Sequence, residues 1–383
     1  MAPKRGTLVS DKDLAKFTVI KDFIAGRIDR VLAASMLGLC ERQVSRLARK
    51  IEAKGLLGVL HGNAGRVPHN RSSMIEERRA TDSVSREFYD CNTTHAHEKV
   101  KQAGLTTKSY STFRRWCRKR GIAKKTYRRR GTQRSARTRV PSEGLLIQWD
   151  GSHHAWNGTD TWVLIGGIDD ATSKVVGAEF CHAESTLDCL RVFRQIVETH
   201  GVPSCVYTDK AGVYGGAKRV NFCEFERVLE RLGTRIIYAN SPQAKGRIER
   251  LWNTFQDRLI PELRLAKCKT MTEANAFLKK TFIPEWFNVR HSVTPQISQT
   301  SWRPSPGQAI LDELFVLIET RKLGNDLTVS IDGVKWQVSS EVDGLLAAGG
   351  QIELRTDLQR RTEPFCQGQK VAMKKAPRAQ KSA

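Results

Sequence analysis

Acidic residues are scarce in this chain of 383 residues: 40 Asp and Glu stand against 64 Lys and Arg, a formal net charge of +24. That imbalance is the electrostatic footprint of a partner presenting many phosphates, with nucleic acid first and an anionic membrane surface second. Long apolar runs are missing too. No stretch approaches the roughly 18–20 apolar residues of a membrane span, and the opening MAPKRGTLVSDKD has no apolar signal-peptide segment. The expectation is a soluble protein that is not exported. Close cysteine pairs are also absent. The nine cysteines, Cys40, Cys91, Cys117, Cys181, Cys189, Cys205, Cys223, Cys268 and Cys366, are scattered without a C-x-x-C. A zinc site then lacks its ligand pairs, and free thiols in a reducing compartment are expected.

What is present divides by composition. Single cores tend to split beyond roughly 250–300 residues, so several domains are expected. Residues 1–72 contain RIDRVLAASMLGLCERQVSRLARKIEAKG, where Val31, Leu32, Leu37, Leu39, Val44, Leu47 and Ile51 fit two short helices joined at Gly38. This is the pattern of a helix-turn-helix whose second helix would offer Arg42, Gln43, Ser45, Arg46 and Arg49 to a major groove. An ordinary helical hairpin with a charged face is the alternative. Residues 73–125 end in GLTTKSYSTFRRWCRKRGI, a second such candidate, with Tyr110, Phe113, Trp116 and Cys117 at helical spacing and Arg114, Arg115, Arg118 and Lys119 outside it. The run from 118 to 139 holds eleven Lys/Arg and no acid. Its centre, residues 126–140 with Arg128, Arg129 and Arg130, is expected to be a basic linker that neutralises phosphates.

Residues 141–290 change character. GLLIQWD, TWVLIGGIDD and KVVGAEF suggest three consecutive antiparallel strands; STLDCLRVFRQIVETHG is an amphipathic helix. A strand PSCVYTD, a helix NFCEFERVLERLG and a strand TRIIYAN follow, and then a last helix. Three meandering strands followed by alternating helices and parallel strands predict a mixed α/β sheet in the order of a ribonuclease H-like fold. Residues 300–365, with a hairpin turn at DGVKW, predict a small β-rich domain, and 366–383 a basic disordered tail.

The last helix begins in YANSPQAKGRIERLW, with Ser241 as N-cap and Pro242 as first helical residue. Ile248, Leu251, Trp252, Phe255 and Leu259 trace its buried stripe, and Glu249 lies about 100° round from Ile248. Asp150 closes the first strand and Asp209 the fourth, and in a ribonuclease H-like sheet those strands are neighbours. Three carboxylates brought together repel and need a cation. Their hard oxygens suit Mg²⁺ or Mn²⁺, and two such ions could stabilise the attacking and leaving oxygens of an in-line phosphoryl displacement. Asp169 and Asp170, in DDATSK, are expected to form a turn.

Asp150, Asp209 and Glu249, with 39 residues between the last two, resemble the DDE motif of retroviral-type integrases and transposases. SPQAKGRIERLW is similar to the stretch around the catalytic glutamate of bacterial insertion-sequence transposases. IQWDGSHHAW and GGIDDATSKVVGAEF resemble the opening strands of the integrase core in the ISNCY-type group. The resemblance implies a multidomain protein, with all-α helix-turn-helix modules, a ribonuclease H-like integrase core and a small C-terminal β-rich domain. It implies metal-dependent strand cleavage and strand transfer at the ends of an insertion sequence, with two ions per active site. Asp150 would bridge both ions, Asp209 would complete one site and Glu249 the other. Lys210, Lys245 and Arg247 would contact phosphates. The implied partners are double-stranded DNA, both terminal repeats and target, and further copies of the chain in a homodimer or larger assembly. The implied location is the bacterial cytoplasm, at the nucleoid. A catalytically inactive DNA-binding regulator and a ribonuclease H-like nuclease are the alternatives.

Overall fold

The computed structural model describes residues 9–61, 71–122, 138–209, 223–239, 246–331, 333–342 and 344–376. The chain forms two compact units, Met1–Arg79 and Ala80–Ala383.

In the first unit, helix α1 (Asp11–Ile24) starts at a capping box in which Ser10 and Asp13 satisfy each other's backbone amides. Helix α2 (Arg30–Leu37) is capped by Asp29 and stops at Gly38, whose φ of 59° suits glycine. Helix α3 (Glu41–Lys54) follows. Ile20, Ala33, Ala34, Val44, Ala48, Ile51 and Val59 form the core. Val31 and Leu32, expected in the apolar stripe, are 62% and 49% exposed. The two alanines take the inward face instead, because small side chains let short helices approach closely.

The second unit opens with helices α4 (Met74–Arg86, which spans the boundary), α5 (Thr93–Gln102) and α6 (Tyr110–Lys119). Phe113, Trp116 and Cys117 of the aromatic stripe join Val84, Phe88 and Val100 in one core. Then come strands β1 (Leu146–His154), β2 (Trp162–Asp169) and β3 (Val175–Cys181), helix α7 (Thr186–His200), β4 (Cys205–Thr208), helix α8 (Glu224–Arg231), β5 (Arg235–Tyr238) and helix α9 (Gly246–Leu265). The sheet order is β3-β2-β1-β4-β5, with β1 to β3 antiparallel and β4 and β5 parallel to β1. Short turns can join only antiparallel neighbours, whereas the parallel strands need the helical crossovers that α7 and α8 supply.

Each face of this sheet is covered. Ile147, Trp149, Val163, Ile165 and Val206 pack under α7 and α8. A Cβ on Gly177 would lie 2.5 Å from Ile196 of α7, so that close approach needs glycine. On the other face Trp156, Leu164 and Phe180 meet Ile248, Trp252, Phe255 and Leu259 of α9. Helix α10 (Met271–Phe277), a π-helical stretch (Leu278–Phe287) and α11 (Asn288–His291) complete that layer.

Helix α12 (Gln308–Leu314) leads into β6 (Leu317–Lys322), β7 (Thr328–Ile331), β8 (Val334–Ser339), β9 (Gln351–Thr356), β10 (Thr362–Cys366), β11 (Gln369–Lys370) and β12 (Ala372–Lys375). They form sheets in the orders β11-β10-β9-β6 and β12-β8-β7. The β7–β8 hairpin turns where DGVKW predicts, with Ile331 opposite Val334 and Gly333 at φ 75°. The disordered tail expected from residue 366 is corrected here. Residues 369–375 hold two strands, because Val371 and Met373 pack into the β-domain core and β12 pairs with β8. Residues 377–383 lie outside the described residues.

Candidate active site

Three rungs join β1 to α9. Ile248 N donates to Gln148 Oε1 at 3.2 Å, Trp252 Nε1 to Asp150 Oδ2 at 3.1 Å, and Gln256 Nε2 to Ser152 Oγ at 3.3 Å. The rungs advance by two residues on the strand and four on the helix, about 6.6 Å and about 6.0 Å respectively. The rises nearly match, so side chains stay opposite along the seam. Strand alternation sends Gln148, Asp150 and Ser152 to this face and Ile147 and Trp149 to the opposite one.

Asp150 does not close its strand. It lies in mid-strand, because β1 continues to His154 and stays paired with β2 from Asp150↔Gly166 to His154↔Trp162. What ends near Asp150 is the ladder on the other side, where the last β1–β4 pair is Gln148↔Tyr207. Asp150 and Asp209 each stand two residues beyond that pair, on strands that run about 4.8 Å apart. Asp150 faces α9, where Trp252 Nε1 donates to it, and Asp209 lies one residue past the end of β4. Glu249, exposed on α9, follows Ile248 of the first rung. Among the described residues no group of three or more His, Cys, Asp or Glu gathers closely enough to hold a metal ion. Residues 210–222 and 240–245, which flank Asp209 and precede Glu249, lie outside the described residues. Asp150, Asp209 and Glu249 are all among the described residues, so the structure does not gather the three into one such group, although carboxylate oxygens are the donors that Mg²⁺ or Mn²⁺ takes.

A buried polar hub steadies the start of α9. Asp170, fully buried, accepts from Gln148 Nε2 at 2.6 Å, from Val140 N at 3.0 Å and from Arg247 Nη1 at 2.5 Å. Its neighbour Asp169 does make the turn, accepting from Gly144 N and from the amide and hydroxyl of Thr172. Burial pushes the Asp169 carboxyl above its ordinary value, although these hydrogen bonds pull it back. Arg247, expected to contact phosphates, is instead a buried ion-pair partner of Asp170, its side chain only 11% exposed. An acid this deep needs a charged or hydrogen-bonded partner, and the first turn of α9 supplies one. Asp170 was expected only to form a turn and Gln148 was not singled out; the available signal was Gln148, Asp150 and Ser152 alternating with Ile147, Trp149 and Gly151 along the strand.

The other candidates scatter. On α3, Arg42, Arg46 and Arg49 are exposed. Gln43 accepts from Cys40 N, however, and Ser45 Oγ donates to Glu41 O, so both are engaged within the helix. On α6, Arg114, Arg115, Arg118 and Lys119 are exposed outside the core stripe. Arg128, Arg129, Arg130, Lys210 and Lys245 lie outside the described residues.

The chain is 35% identical over 334 residues to y4bF of Sinorhizobium fredii, a protein named as a transposase, covering 85% of this chain and 72% of that one. It is 30% identical over 333 residues to the transposase for insertion sequence IS1202 of Streptococcus pneumoniae, covering 76% and 71%. The chain belongs to the bacterial insertion-sequence transposases. No protein-family model matches this transposase. Among solved structures it aligns with the HTLV-2 integrase catalytic core domain in complex with magnesium at 16% identity and a TM-score of 0.30, over 35% of this chain and 82% of that one. It aligns with the simian T-cell lymphotropic virus intasome in complex with PP2A regulatory subunit B56 gamma at 13% identity and a TM-score of 0.35, over 79% and 100%. Likenesses this weak carry no argument about the transposase fold.

Proposed function

We propose that this transposase cleaves DNA at the ends of its insertion sequence and joins them to target DNA, using a DDE site of Asp150, Asp209 and Glu249 on a ribonuclease H-like core. The observation that carries this is the register: Asp150 and Asp209 stand equally far past the last β1–β4 pair, and the β1–α9 rungs run beside Glu249. The three carboxylates would hold Mg²⁺ or Mn²⁺, two ions per site, which when bound would supply Lewis acidity and offset the like charges. Trp252, bonded to Asp150 Oδ2, orients one carboxylate, and Gln148, shared between Ile248 N and Asp170, sets the height of α9 against the sheet. Both are positioning residues.

On this proposal residues 1–72 and 73–125 bind the terminal repeats as double-stranded DNA, with Arg42, Arg46 and Arg49 of α3 and the exposed cations of α6 on phosphates or base edges. Residues 126–140 add a basic linker, 141–290 form the core and 300–365 the β-rich domain. Two element ends must be joined in one complex, so the working form is a homodimer or larger assembly on DNA. The exposure of Glu249 favours one second reading, a DNA-binding regulator without catalysis.

Strand cleavage and joining on labelled element-end DNA separates the two. With Mg²⁺ or Mn²⁺ the wild type is expected to cut and join, while Asp150→Asn, Asp209→Asn and Glu249→Gln bind without cutting. Retained activity in these variants would overturn the DDE site. Binding without cleavage by every protein, wild type included, would leave the regulator.

A further inference from the structure

Beside the start of α9 lies a cavity of about 200 Å³ that no step above uses. Arg139, Arg247 and Arg250 line it together with the hydroxyls of Ser173 and Thr254 and the imidazole of His291. Among the described residues no carboxylate lines it. The nearest acid described, Asp170, is buried against Arg247 and offsets that one charge. Arg139 Nη1 donates to neutral groups, to Ser173 Oγ at 2.7 Å and to the carbonyls of Asp170 and Ala171 at 3.0 and 3.4 Å. Among the described residues Arg250 has no acidic partner, and its side chain is exposed. Ser173 is held in the left-handed region, at φ 60°, where a non-glycine residue is uncommon. The Arg139 guanidinium thus fixes a hydroxyl at the cavity in an unusual backbone conformation.

We propose that this cavity binds one backbone phosphate of the DNA substrate. Guanidinium groups match a tetrahedral oxyanion with paired N–H donors, and the Ser173 hydroxyl, which accepts from Arg139, keeps its own hydrogen to donate, whereas Thr254 Oγ1 donates to Arg250 O at 2.9 Å. Burial, together with the charges of Arg290 and Arg258, lowers the pKa of His291. Arg250 supplies the uncompensated charge and Arg139 the rigid floor. The assignment rests on the transposase proposal for its ligand, but not on the carboxylates.

The test is the salt dependence of binding by the full chain to a labelled duplex of arbitrary sequence. Each phosphate neutralised contributes about 0.9 to the slope of log K against log salt. Arg250→Ala is therefore expected to lower that slope by about 1 and weaken binding uniformly across sequences, whereas Arg250→Lys keeps the slope. Arg250 is exposed, so the substitution is not expected to disturb the fold; Arg250→Glu, a second variant, should lower the slope further. An unchanged slope in Arg250→Ala overturns the proposal. So does a variant that loses only a rise in melting temperature on adding inorganic phosphate, because the cavity would then hold a free anion and not DNA. If the slope falls while no protein cuts DNA, the phosphate site stands and the catalytic proposal fails. If the wild type cuts DNA and the slope is unchanged, the reverse holds.

Discussion

The two ends of α9 are held by different chemistry. From Gly246 to Gln256 the helix meets β1 through hydrogen bonds, the indole of Trp252 on the Asp150 carboxylate among them, and Arg247 pairs with the buried Asp170. From Arg258 onward it meets the α4–α6 layer through charges. Arg258 pairs with Glu98 at 2.6 Å, Glu262 with Lys99 at 2.6 Å and with His95 at 2.9 Å, and Arg264 with Asp90 at 2.6 Å. Hydrogen bonds of this kind are directional and fix the geometry of the seam. Ion pairs reach further and anchor the helix where no chemistry is proposed. The helix thus separates alignment at one end from attachment at the other.

Substitutions at each end should break this contrast in distinct ways, the largest at the hub. Asp170→Ala removes the buried partner of Arg247 and the acceptor for Gln148, and should cost about 3–5 kcal/mol in urea unfolding. A loss below about 1 kcal/mol would mean that the hub does not hold the start of α9. At the other end Arg258→Ala strips a guanidinium that is 7% exposed, stacked over Trp286 at 4.2 Å and paired with Glu98. It should cost about 3 kcal/mol, while cleavage per folded molecule stays near wild type. A fall in cleavage beyond the folded fraction would show that the two ends are not separate.

Trp252→Phe keeps the ring in the core but removes the donor to Asp150. Stability should fall by about 1 kcal/mol, whereas cleavage should drop by about 10–100-fold, as for other groups that orient a ligand. Equal activity would detach the indole from the site.

Acid sharpens the comparison further. Burial alone would raise the Glu262 carboxyl, but hydrogen bonds from His95 and Lys99 outweigh it and bring the pKa from 4.5 to about 2. A depressed folded pKa contributes stability above pH 4.5 that is lost as pH falls towards 2. Denaturation midpoints should therefore decline through that window in the wild type and decline less in Glu262→Gln. The smallest effect belongs to Arg290→Ala. This arginine also pairs with Glu98 but is 45% exposed, so no more than about 1 kcal/mol should be lost.

Much of the fold was legible because its signals are local. Apolar runs bounded by short polar loops mark β1 to β3, period-3.6 stripes mark α7 and α9, and the DGVKW turn marks the β7–β8 hairpin. Of the proposed site, the apolar stripe of α9 was legible, with Ile248, Leu251, Trp252, Phe255 and Leu259 buried as their spacing predicts. Three features were not. The end of β1 is decided by β2, which goes on pairing four residues past Asp150. The last strands are decided by β8, which pairs with a segment that is basic and polar when taken alone.

The third is the fate of single charges. Composition alone determined that the chain is strongly basic and suited to a phosphate-rich partner, and residue order determined the succession of helices and strands. Whether a given arginine faces solvent or a buried acid was decided only when the chain folded. Arg247 met Asp170 from 77 positions away, while Arg250, three residues on, is exposed and has no acidic partner among the described residues. Backbone periodicity is a short-range property, but the field around a side chain is set by whatever the tertiary structure brings against it.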